Sequence, residues 1–306
     1  MLKRIEQSPP LTLLVVAAAF FVYGYSTSLF KITDFIIFTI FVLGFDMAYG
    51  QMGKLSFGHM LYYGAGSYGA GLCAIHVYPD PFLAILAGMI FGAALGLILG
   101  PVLVKLKGAA FALSNLAFNQ LGYFLVLVPF APVTGGEDGI SLSFNSYGFI
   151  DFSDFNFRFY FYLACLLGVV FLYQRFTRAP YGIFLRATKE NEIRVRFLGY
   201  NTQVFKVVTF VISTTLSGLA GALNALNLQF TNTSLIDPTR SVEVIFAALM
   251  GGAGNVLGAV MGGMAFMTIR QYLADYLVRW EMFLGIALLF IAFKLRKGLY
   301  GVLAKG

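Results

Sequence analysis

The chain has 306 residues, of which 59% are hydrophobic and only 11% are charged, and its mean hydropathy is +0.80. A soluble domain of this size needs far more polar surface, so the composition excludes one. The formal charge of +7 comes from basic residues between apolar runs, which argues against a nucleic-acid-binding protein, since such a protein would present an uninterrupted basic face.

The apolar residues fall into runs of about 17–25 residues, and runs of that length predict transmembrane helices. They are continuously apolar and do not alternate with polar residues, so a β-barrel is not expected. We predict an all-α, polytopic membrane helical bundle that forms a single transmembrane domain over residues 1–306, with about eight full spans and one broken half-helix pair. In chain order, the full spans are predicted at 11–30, 34–50, 55–77, 82–104, 109–130, 159–175, 207–228 and 276–293.

The basic residues indicate which ends of these spans face the cytoplasm, because cytoplasmic loops are enriched in Lys and Arg. Alternation of the spans along the chain places most of the 21 basic residues on one side, so both termini are expected in the cytoplasm. That side holds Lys3, Arg4, Lys54, Lys105, Lys107, Arg175, Arg178, Arg186, Lys189, Arg194, Arg196, Lys206, Lys294, Arg296, Lys297 and Lys305.

The broken pair is predicted where glycines interrupt an apolar run late in the chain. Gly251, Gly252 and Gly254 separate an element at 242–251 from one at 256–273, and glycine is where a helix most easily stops or turns. A hairpin here keeps the C-terminus in the cytoplasm. Half-length elements must be covered by protein, because they cannot face lipid alone.

A similar glycine pair, Gly50 and Gly53, interrupts an apolar segment in the first half of the chain. Glycine-broken segments in corresponding places of two halves point to the central pathway of a transporter. A chance similarity stays an alternative, because the chain contains 34 glycines.

Polar side chains inside the predicted spans are the candidates for a solute pathway. A charge at the bilayer centre costs about 2.5–3.5 kcal/mol on insertion scales, so such residues are rare. They either make hydrogen bonds between helices or form a polar lining for a small zwitterionic solute. The candidates are Asp46, Asn115, Asn119, Asn224 and Glu243.

Two long loops are predicted to meet partners. The extracytoplasmic loop at 131–158 contains glycines and acidic residues that predict tight turns, and loops of this length are usually functional. The loop at 176–206 is strongly basic, competent to form a helix and cytoplasmic by its charge. A loop that only fixes orientation is the alternative for the second one.

The sequence predicts no catalytic, nucleotide-binding or metal site in this chain, and we do not expect an enzyme. The segment from Gln51 to Ser56 superficially resembles a P-loop, but Ala48 stands where the first glycine is required and Leu55 follows Lys54. His59 and His76 have no neighbouring ligand residue, so His59 is expected to pack and to form hydrogen bonds.

The order of several segments resembles the inner-membrane permeases of branched-chain amino acid ABC transporters, of the LivM type in the LivH/LivM family. The resemblance covers roughly residues 34–270. The segments that show it are GFDMAYGQMGKLSFGHMLYYGAGSYGA at 44–70, LKGAAFALSNLAF at 106–118, VTGGEDGI at 133–140, YGIFLRATKENEIRVRFLGYN at 181–201, SGLAGAL at 217–223 and SVEVIFAALMGGAGNVLGAVMGG at 241–263.

This resemblance implies an importer subunit in the bacterial inner membrane, with a second, homologous permease, two cytoplasmic subunits that use ATP and magnesium, and a periplasmic or lipid-anchored solute-binding protein. It implies no bound cofactor in this chain and no nucleic acid. In the family, the loop after the middle span carries a coupling helix that docks on the ATPases. Here the helix corresponds to residues 181–200, with Arg186, Lys189, Glu190, Asn191, Glu192 and Arg194.

The sequence gives the least information about which solute is transported. Asp46 stands where an amide is more usual in these permeases, and Glu137 and Asp138 make the outer loop acidic. Urea and short-chain amide permeases share much of the architecture, so they are alternatives within the family. A stand-alone secondary transporter and a structural membrane subunit of a larger enzyme are alternatives from other classes.

Overall fold

A computed structural model describes residues 8–26, 29–145, 154–276 and 298–303, together with Phe152, Met282, Gly285 and Ile286. The described chain is a bundle of helices with one small two-stranded sheet. The helices are α1 Pro9–Ser26, α2 Leu29–Asp46, α3 His59–His76, α4 Pro81–Leu103, α5 Ala109–Leu127, α6 Ala131–Thr134, α7 Phe155–Arg178, α8 Pro180–Phe197, α9 Thr202–Leu228, α10 Ser241–Gly251, α11 Val256–Tyr276 and α12 Gly298–Leu303. A π-helix, Met47–Gln51, continues α2.

Five helical segments in the described chain are long and apolar enough to cross a membrane: Lys31–Gln51, Pro81–Leu103, Ala109–Leu127, Phe155–Arg178 and Thr202–Leu228. These segments confirm the predicted class, an all-α polytopic membrane bundle. The last predicted span, 276–293, lies almost entirely outside the described residues.

The helices differ in how deeply they are buried. In the most apolar stretch of the α2 segment, 83% of the residues are buried, whereas the corresponding share is 22% in both α4 and α5. Because lipid is as apolar as a protein core, the exposed faces of α4 and α5 can meet either lipid or another membrane protein. The bundle therefore has a central helix, α2, and an outer wall formed by α4 and α5.

α9 is the longest helix and packs closely against α3 and α4 through small residues. A Cβ added at Gly66 of α3 would collide with the backbone of Gly218, and one added at Gly221 would collide with the carbonyl of Tyr63. Small residues allow membrane helices to approach at this distance. Gly66 therefore has a packing role between α3 and α9.

α10 and α11 form the hairpin predicted from the glycines between them. Gly252 and Gly254 have φ angles of +100° and +92°, which L side chains rarely adopt, so glycine is required in the turn. One part of the prediction is wrong, since α11 has 21 residues. At 1.5 Å per residue it is about 30 Å long, which is a full membrane thickness, and only α10 is half-length.

Irregular structure follows α5 at one end of the bundle. α6 ends at Gly135, and the left-handed conformations of Gly135, Gly136 and Gly139 confirm the predicted tight turns. Strand β1, Ile140–Ser141, then pairs antiparallel with β2, Phe230–Thr231, which directly follows α9. This pairing attaches the 131–145 part of the outer loop to the end of α9.

α8 lies at the opposite end of the bundle, outside the five apolar segments. Pro180 starts the helix, a position where the missing N–H costs nothing, and the backbone kinks at Asn191 (φ −153°, ψ 93°). The structure places helix ends inside the predicted 176–206 loop, because α7 continues to Arg178 and α9 begins at Thr202. The Asn201 side chain caps α9 by accepting hydrogen bonds from the backbone N–H groups of Gln203 and Val204.

Candidate functional site

α8 is joined to the membrane-spanning part through Lys189. The Nζ atom of Lys189 donates a hydrogen bond to the carbonyl oxygen of Gly50 at 2.6 Å. That carbonyl belongs to the π-helix, where the backbone ladder is irregular and carbonyl groups are open to other donors. The stem of Lys189 covers Gly53, which has a φ angle of +74°. Lys189 therefore links α8 directly to the end of the α2 segment.

The remaining predicted coupling residues differ in their surroundings. Arg186 donates from Nη2 to the carbonyl oxygen of Thr177 at 2.9 Å, which holds α8 against the end of α7. Asn191 accepts from the backbone N–H of Arg194 at 3.1 Å and so starts a new turn after the kink. Glu190 and Arg194 are exposed. These two charges are available to a partner.

Glu192 ties α8 to the start of α9. Its carboxylate contacts Lys206 at 2.7 Å and Arg196 at 2.8 Å, and it accepts a hydrogen bond from Thr202 at 3.0 Å. Burial raises the pKa of Glu192, but the hydrogen bonds from Lys206 and Thr202 and the charges of Lys206 and Arg196 outweigh it and lower the pKa to about 2. The carboxylate is charged at every physiological pH.

A buried polar junction lies next to Gly50 and consists of Asp46, Gln51, Tyr173 and Gly254. The carboxylate of Asp46, which is fully buried, accepts from the N–H of Gly254 at 2.9 and 3.2 Å and from the hydroxyl of Tyr173. The Nε2 atom of Gln51 donates to Tyr173 Oη and to the Gly254 carbonyl oxygen, both at 2.9 Å. The junction thus fixes the hairpin turn against α2 and α7.

The two glycine motifs compared in the sequence meet at this junction. A Cβ added at Gly50 would collide with both the Asp46 carboxylate and the backbone nitrogen of Gly254. The backbones of the two motifs are therefore in contact, and a larger residue at Gly50 would separate them. Four of the five glycines that were predicted to interrupt helices lie in or next to this junction. Gly50 and Gly254 form the backbone contact, Gly53 lies beneath the side chain of Lys189, and Gly252 lies in the hairpin turn.

The fifth, Gly251, packs within the hairpin itself, where a Cβ would meet the carbonyl of Gly258. This close approach lets the last turn of α10 lie against the first turn of α11.

Asn115 and Asn119 of α5 are buried in contacts between elements. Asn115 accepts from the hydroxyl of Tyr62 at 3.2 Å and donates to the Phe111 carbonyl oxygen at 3.2 Å. Asn119 donates to the Ile236 carbonyl oxygen at 2.6 Å. Both amides therefore hold α5 to its neighbours, and neither lines the cavity described next.

A cavity of about 420 Å³ lies between α2, α3, α9, α10 and α11, toward the end opposite α8. Asp34 precedes Asp46 on the same segment by 12 positions, which is about 18 Å along a helix. The cavity and the polar junction are therefore separate sites. Much of the wall is apolar and includes Phe35, Phe38, Phe41, Met60, Leu235 and Met267.

Charged and amide side chains converge on the cavity. The Glu243 carboxylate forms an ion pair with Arg270 Nη1 at 2.9 Å. Asp34 accepts from the Nδ2 atom of Asn227 at 2.7 Å. Lys31, Asn224, Arg240 and Gln271 also line the cavity. Of the candidate pathway residues, Asn224 and Glu243 line this cavity, while Asp46, Asn115 and Asn119 lie elsewhere.

Sequence reasoning missed Asp34, Arg240 and Arg270. Asp34 and Arg270 stand within apolar helices, and the rule that flagged Asp46 would have found both. Arg240 lies in a short 3-10 turn, Pro238–Arg240, directly before α10, where only the tertiary structure shows that it faces a cavity.

His59 is buried, and its Nε2 atom lies 2.8 Å from Ser213 Oγ. This contact confirms the predicted hydrogen-bonding role of His59. Among the residues that the structure describes, no cluster of three or more His, Cys, Asp or Glu side chains could hold a metal ion.

Comparison with known proteins places residues 27–293 in a family described as branched-chain amino acid transport system / permease component. The chain is 29% identical over 294 residues to the high-affinity branched-chain amino acid transport system permease protein LivM of Salmonella typhimurium, covering 87% of this chain and 68% of that protein. It is 25% identical over 275 residues to BraD of Pseudomonas aeruginosa, a permease protein of the same kind of system, covering 78% and 82% of the two chains.

A more distant similarity, 26% identity over 233 residues, links the chain to the ribose import permease protein RbsC of Haemophilus influenzae, covering 74% of this chain and 68% of that protein. No solved structure matches the chain.

Proposed function

Because the chain belongs to the family of branched-chain amino acid transport permease components, we propose that it is the membrane-spanning permease subunit of an ABC importer that carries branched-chain amino acids. The energy comes from ATP hydrolysis in separate subunits. The similar chains are transport permeases, and this chain is likewise a multi-pass membrane protein. We place it in the bacterial inner membrane, with α8 on the cytoplasmic side because of its basic surroundings.

The observation that carries this proposal is the hydrogen bond from Lys189 to Gly50. It joins a helix outside the membrane-spanning segments to the place where α2 meets the α10–α11 hairpin. We propose that α8 is the coupling helix and that Arg186, Lys189, Glu190, Asn191, Glu192 and Arg194 transmit motion from the ATPases. A shift of Lys189 moves the Gly50 carbonyl, and the Gly50–Gly254 contact passes this movement to the hairpin.

The exposed surface of α8 and the residue after it suits a partner subunit. Ile193, Phe197 and Leu198 expose 67%, 87% and 73% of their surface, next to the exposed charges of Glu190 and Arg194. An apolar patch with a charged rim is typical of a protein interface. We propose that two cytoplasmic ATP-binding subunits, which use ATP and magnesium, dock here and on the corresponding helix of a second permease.

Two further surfaces are assigned to the other subunits. The outer wall of α4 and α5 exposes large apolar side chains such as Leu97, Ile98 and Leu113, which suits a second, homologous permease as well as lipid. The 131–145 part of the outer loop lies on the side opposite α8, and we propose that a periplasmic or lipid-anchored solute-binding protein docks on the loop at 131–158. The predicted 1–306 permease domain is then one pore-forming half of the importer.

The solute pathway is proposed to include the cavity. Asn224 and Glu243 contact the passing solute, since both line the cavity. Asp46, Asn115 and Asn119 instead hold helices together through their hydrogen bonds. On this basis Asn115→Leu is expected to weaken the packing of α5 as well as uptake.

The test is transport by the complex reconstituted in proteoliposomes with its ATPase subunits, a second permease and the binding protein. Wild type should take up leucine only with ATP. Lys189→Met should still hydrolyse ATP but lower leucine uptake per ATP about tenfold, because a hydrogen bond from a charged donor contributes about 1.5–3 kcal/mol. Lys105→Met, at an exposed lysine on the same side of the bundle, is the matched control and should transport normally.

Two results would contradict the proposal. Uptake by this chain alone, driven by an ion gradient and indifferent to ATP, would identify a stand-alone secondary transporter. If Lys189→Met and wild type take up equal amounts of leucine per ATP hydrolysed, the Lys189–Gly50 contact of α8 does not transmit the motion of the ATPases.

A further inference from the structure

The charged side chains that line the cavity differ in whether they have a partner within the protein. Glu243 and Arg270 neutralise each other in an ion pair at 2.9 Å. The carboxylate of Asp34 has a neutral partner, the amide of Asn227 at 2.7 Å. Among the residues that the structure describes, the side chains of Arg240 and Lys31 make neither an ion pair nor a hydrogen bond. The cavity thus retains one acidic and two basic groups for a ligand.

Arg240 and Lys31 differ in what their position implies. Lys31 is exposed, and an exposed lysine needs no partner beyond water. Arg240 is half-buried on the cavity wall, where its guanidinium has lost part of its hydration. A guanidinium presents paired N–H donors that match a carboxylate, so it suits this group better than a neutral amide or a hydroxyl.

Asn224 provides an independent sign of a ligand. Its side chain is only 8% exposed, it lines the cavity, and its Nδ2 atom has no hydrogen-bond partner within the described part of the chain. A buried N–H group without a partner costs about 1–3 kcal/mol. An acceptor inside the cavity, such as a carboxylate oxygen, would satisfy it.

The rest of the cavity suits an apolar side chain. Its volume of about 420 Å³ lies in the range of about 300–1,000 Å³ that is typical of small-molecule sites. Phe35, Phe38 and Met60 contribute to a wall that offers no strong donor or acceptor. A branched aliphatic side chain loses water here without leaving a polar group unpaired.

We infer that the cavity is a binding site for a zwitterionic amino acid with an apolar side chain, whose carboxylate binds Arg240 and Asn224 and whose ammonium group binds Asp34. Lys31 adds positive charge on the solvent side. The inference rests on the proposed transport function and assigns the solute's contacts within this one chain. It requires a charged carboxylate, which separates amino acids from urea and short-chain amides.

The experiment measures binding of radiolabelled L-leucine to the importer complex in nanodiscs without its solute-binding protein, since that subunit would bind leucine itself. The competitors are L-leucinamide, which lacks the carboxylate, and 4-methylpentanoate, which lacks the ammonium group. Both should compete at least about tenfold more weakly than leucine, because each forfeits a charged hydrogen bond.

Variants test the assigned residues. Arg240→Gln and Asn224→Leu should each weaken leucine binding about tenfold, and Arg240→Lys should retain part of the affinity. Arg240→Gln should also reduce the preference for leucine over leucinamide, a change that a loss of structure alone would not produce. Arg175→Gln removes the same charge from an exposed site at the other end of the bundle and should bind like wild type.

Three results would overturn the inference: no leucine binding by the wild-type complex, equal competition by leucinamide, or unchanged discrimination in Arg240→Gln. ATP-driven uptake by the complete importer is measured in parallel. If uptake occurs and discrimination is unchanged in Arg240→Gln, only the cavity assignment fails. If the complete importer shows no ATP-driven uptake, the proposed function fails, whatever the binding result.

Discussion

Asp34, Asp46 and Glu243 are three carboxylates in largely apolar surroundings, and each has a partner in a distant part of the chain. Asp34 accepts from Asn227, Asp46 from Gly254, and Glu243 pairs with Arg270. Burying a carboxylate without partners is costly, so these contacts determine how the helices can pack. The two aspartates therefore have different roles. Asp46 holds the polar junction together, and Asp34 lines the cavity.

The lowered pKa of Glu192 predicts how the thermal stability of the protein depends on pH. Lys206, Thr202 and Arg196 lower its pKa from 4.5 to about 2 in the folded protein, against the opposing effect of burial. A carboxylate with a lowered folded-state pKa stabilises the fold above its unfolded pKa, and this contribution is lost as the pH falls through the folded value. Glu192→Gln should therefore lower the Tm at about pH 5–8, and the difference from wild type should shrink from about pH 4.5 toward 2.

Thermal unfolding of the purified protein in detergent at a series of pH values measures this difference. Glu190→Gln, at an exposed neighbour on the same helix, is the control and should leave the Tm unchanged. A difference between wild type and Glu192→Gln that is independent of pH would show that the charge of Glu192 is not the stabilising feature.

At the scale of elements, close backbone contacts hold the helices in fixed positions. Gly66 of α3 meets Gly218 of α9, and Gly50 of the π-helix meets Gly254 in the hairpin turn. The first contact is between two regular helices and is structural. The second lies between two irregular segments, where a small change of backbone geometry costs less. We therefore expect the α3–α9 contact to be the less tolerant of the two to a change of backbone geometry.

Gly66→Ala tests the α3–α9 contact. The added methyl group would meet the backbone of Gly218, which cannot rotate away as a side chain can, so we expect a loss of about 1–3 kcal/mol. Gly168→Ala in α7 is the matched control, because no atom beyond the adjacent residues and the backbone of its own helix lies within 4 Å of the added Cβ. Thermal unfolding in the same detergent should show a lower Tm for the first variant and an equal or higher Tm for the second. Equal Tm values for both variants would contradict the close packing.

At the scale of the whole molecule, the two ends of the bundle have different chemistry. α8, Lys54 and Lys105 lie at one end, and Glu137 and Asp138 lie at the other. The proposed coupling surface on α8 and the cavity are therefore on opposite sides of the polar junction. In the proposed importer, a signal from an ATPase would pass through the bundle to reach the solute, and the α2 segment, which carries both Asp34 and Asp46, connects the two ends.

The orientation of the whole molecule is tested by labelling single cysteines. In a Cys73→Ser, Cys165→Ser background, Asp138→Cys should react with a membrane-impermeant maleimide in cells with a permeable outer membrane. Glu190→Cys should react only after the inner membrane is broken. Both positions are exposed, so access to the reagent decides the outcome. Labelling of Glu190→Cys in cells with an intact inner membrane would reverse the assigned sides.

The sequence alone determined the helical class, the approximate position of the five apolar segments long enough to span a membrane, and the glycine turn at Gly251–Gly254. These properties depend on local physics, because a chain in lipid must satisfy its backbone hydrogen bonds within each segment, and apolar runs of fixed length result. The family resemblance also came from ordered local motifs, and the family comparison confirms it.

Only the tertiary structure decided which polar residues face the cavity. Asn115 and Asn224 are the same residue type in similar apolar helices. Asn115 binds Tyr62 across a helix contact, whereas Asn224 lines the cavity and its Nδ2 atom has no partner among the described residues. Asp46 and Gly254 are 208 positions apart, and no local pattern connects them. The rotation of a membrane helix is set by packing against its neighbours, so the role of a polar residue is fixed only when those neighbours are in place.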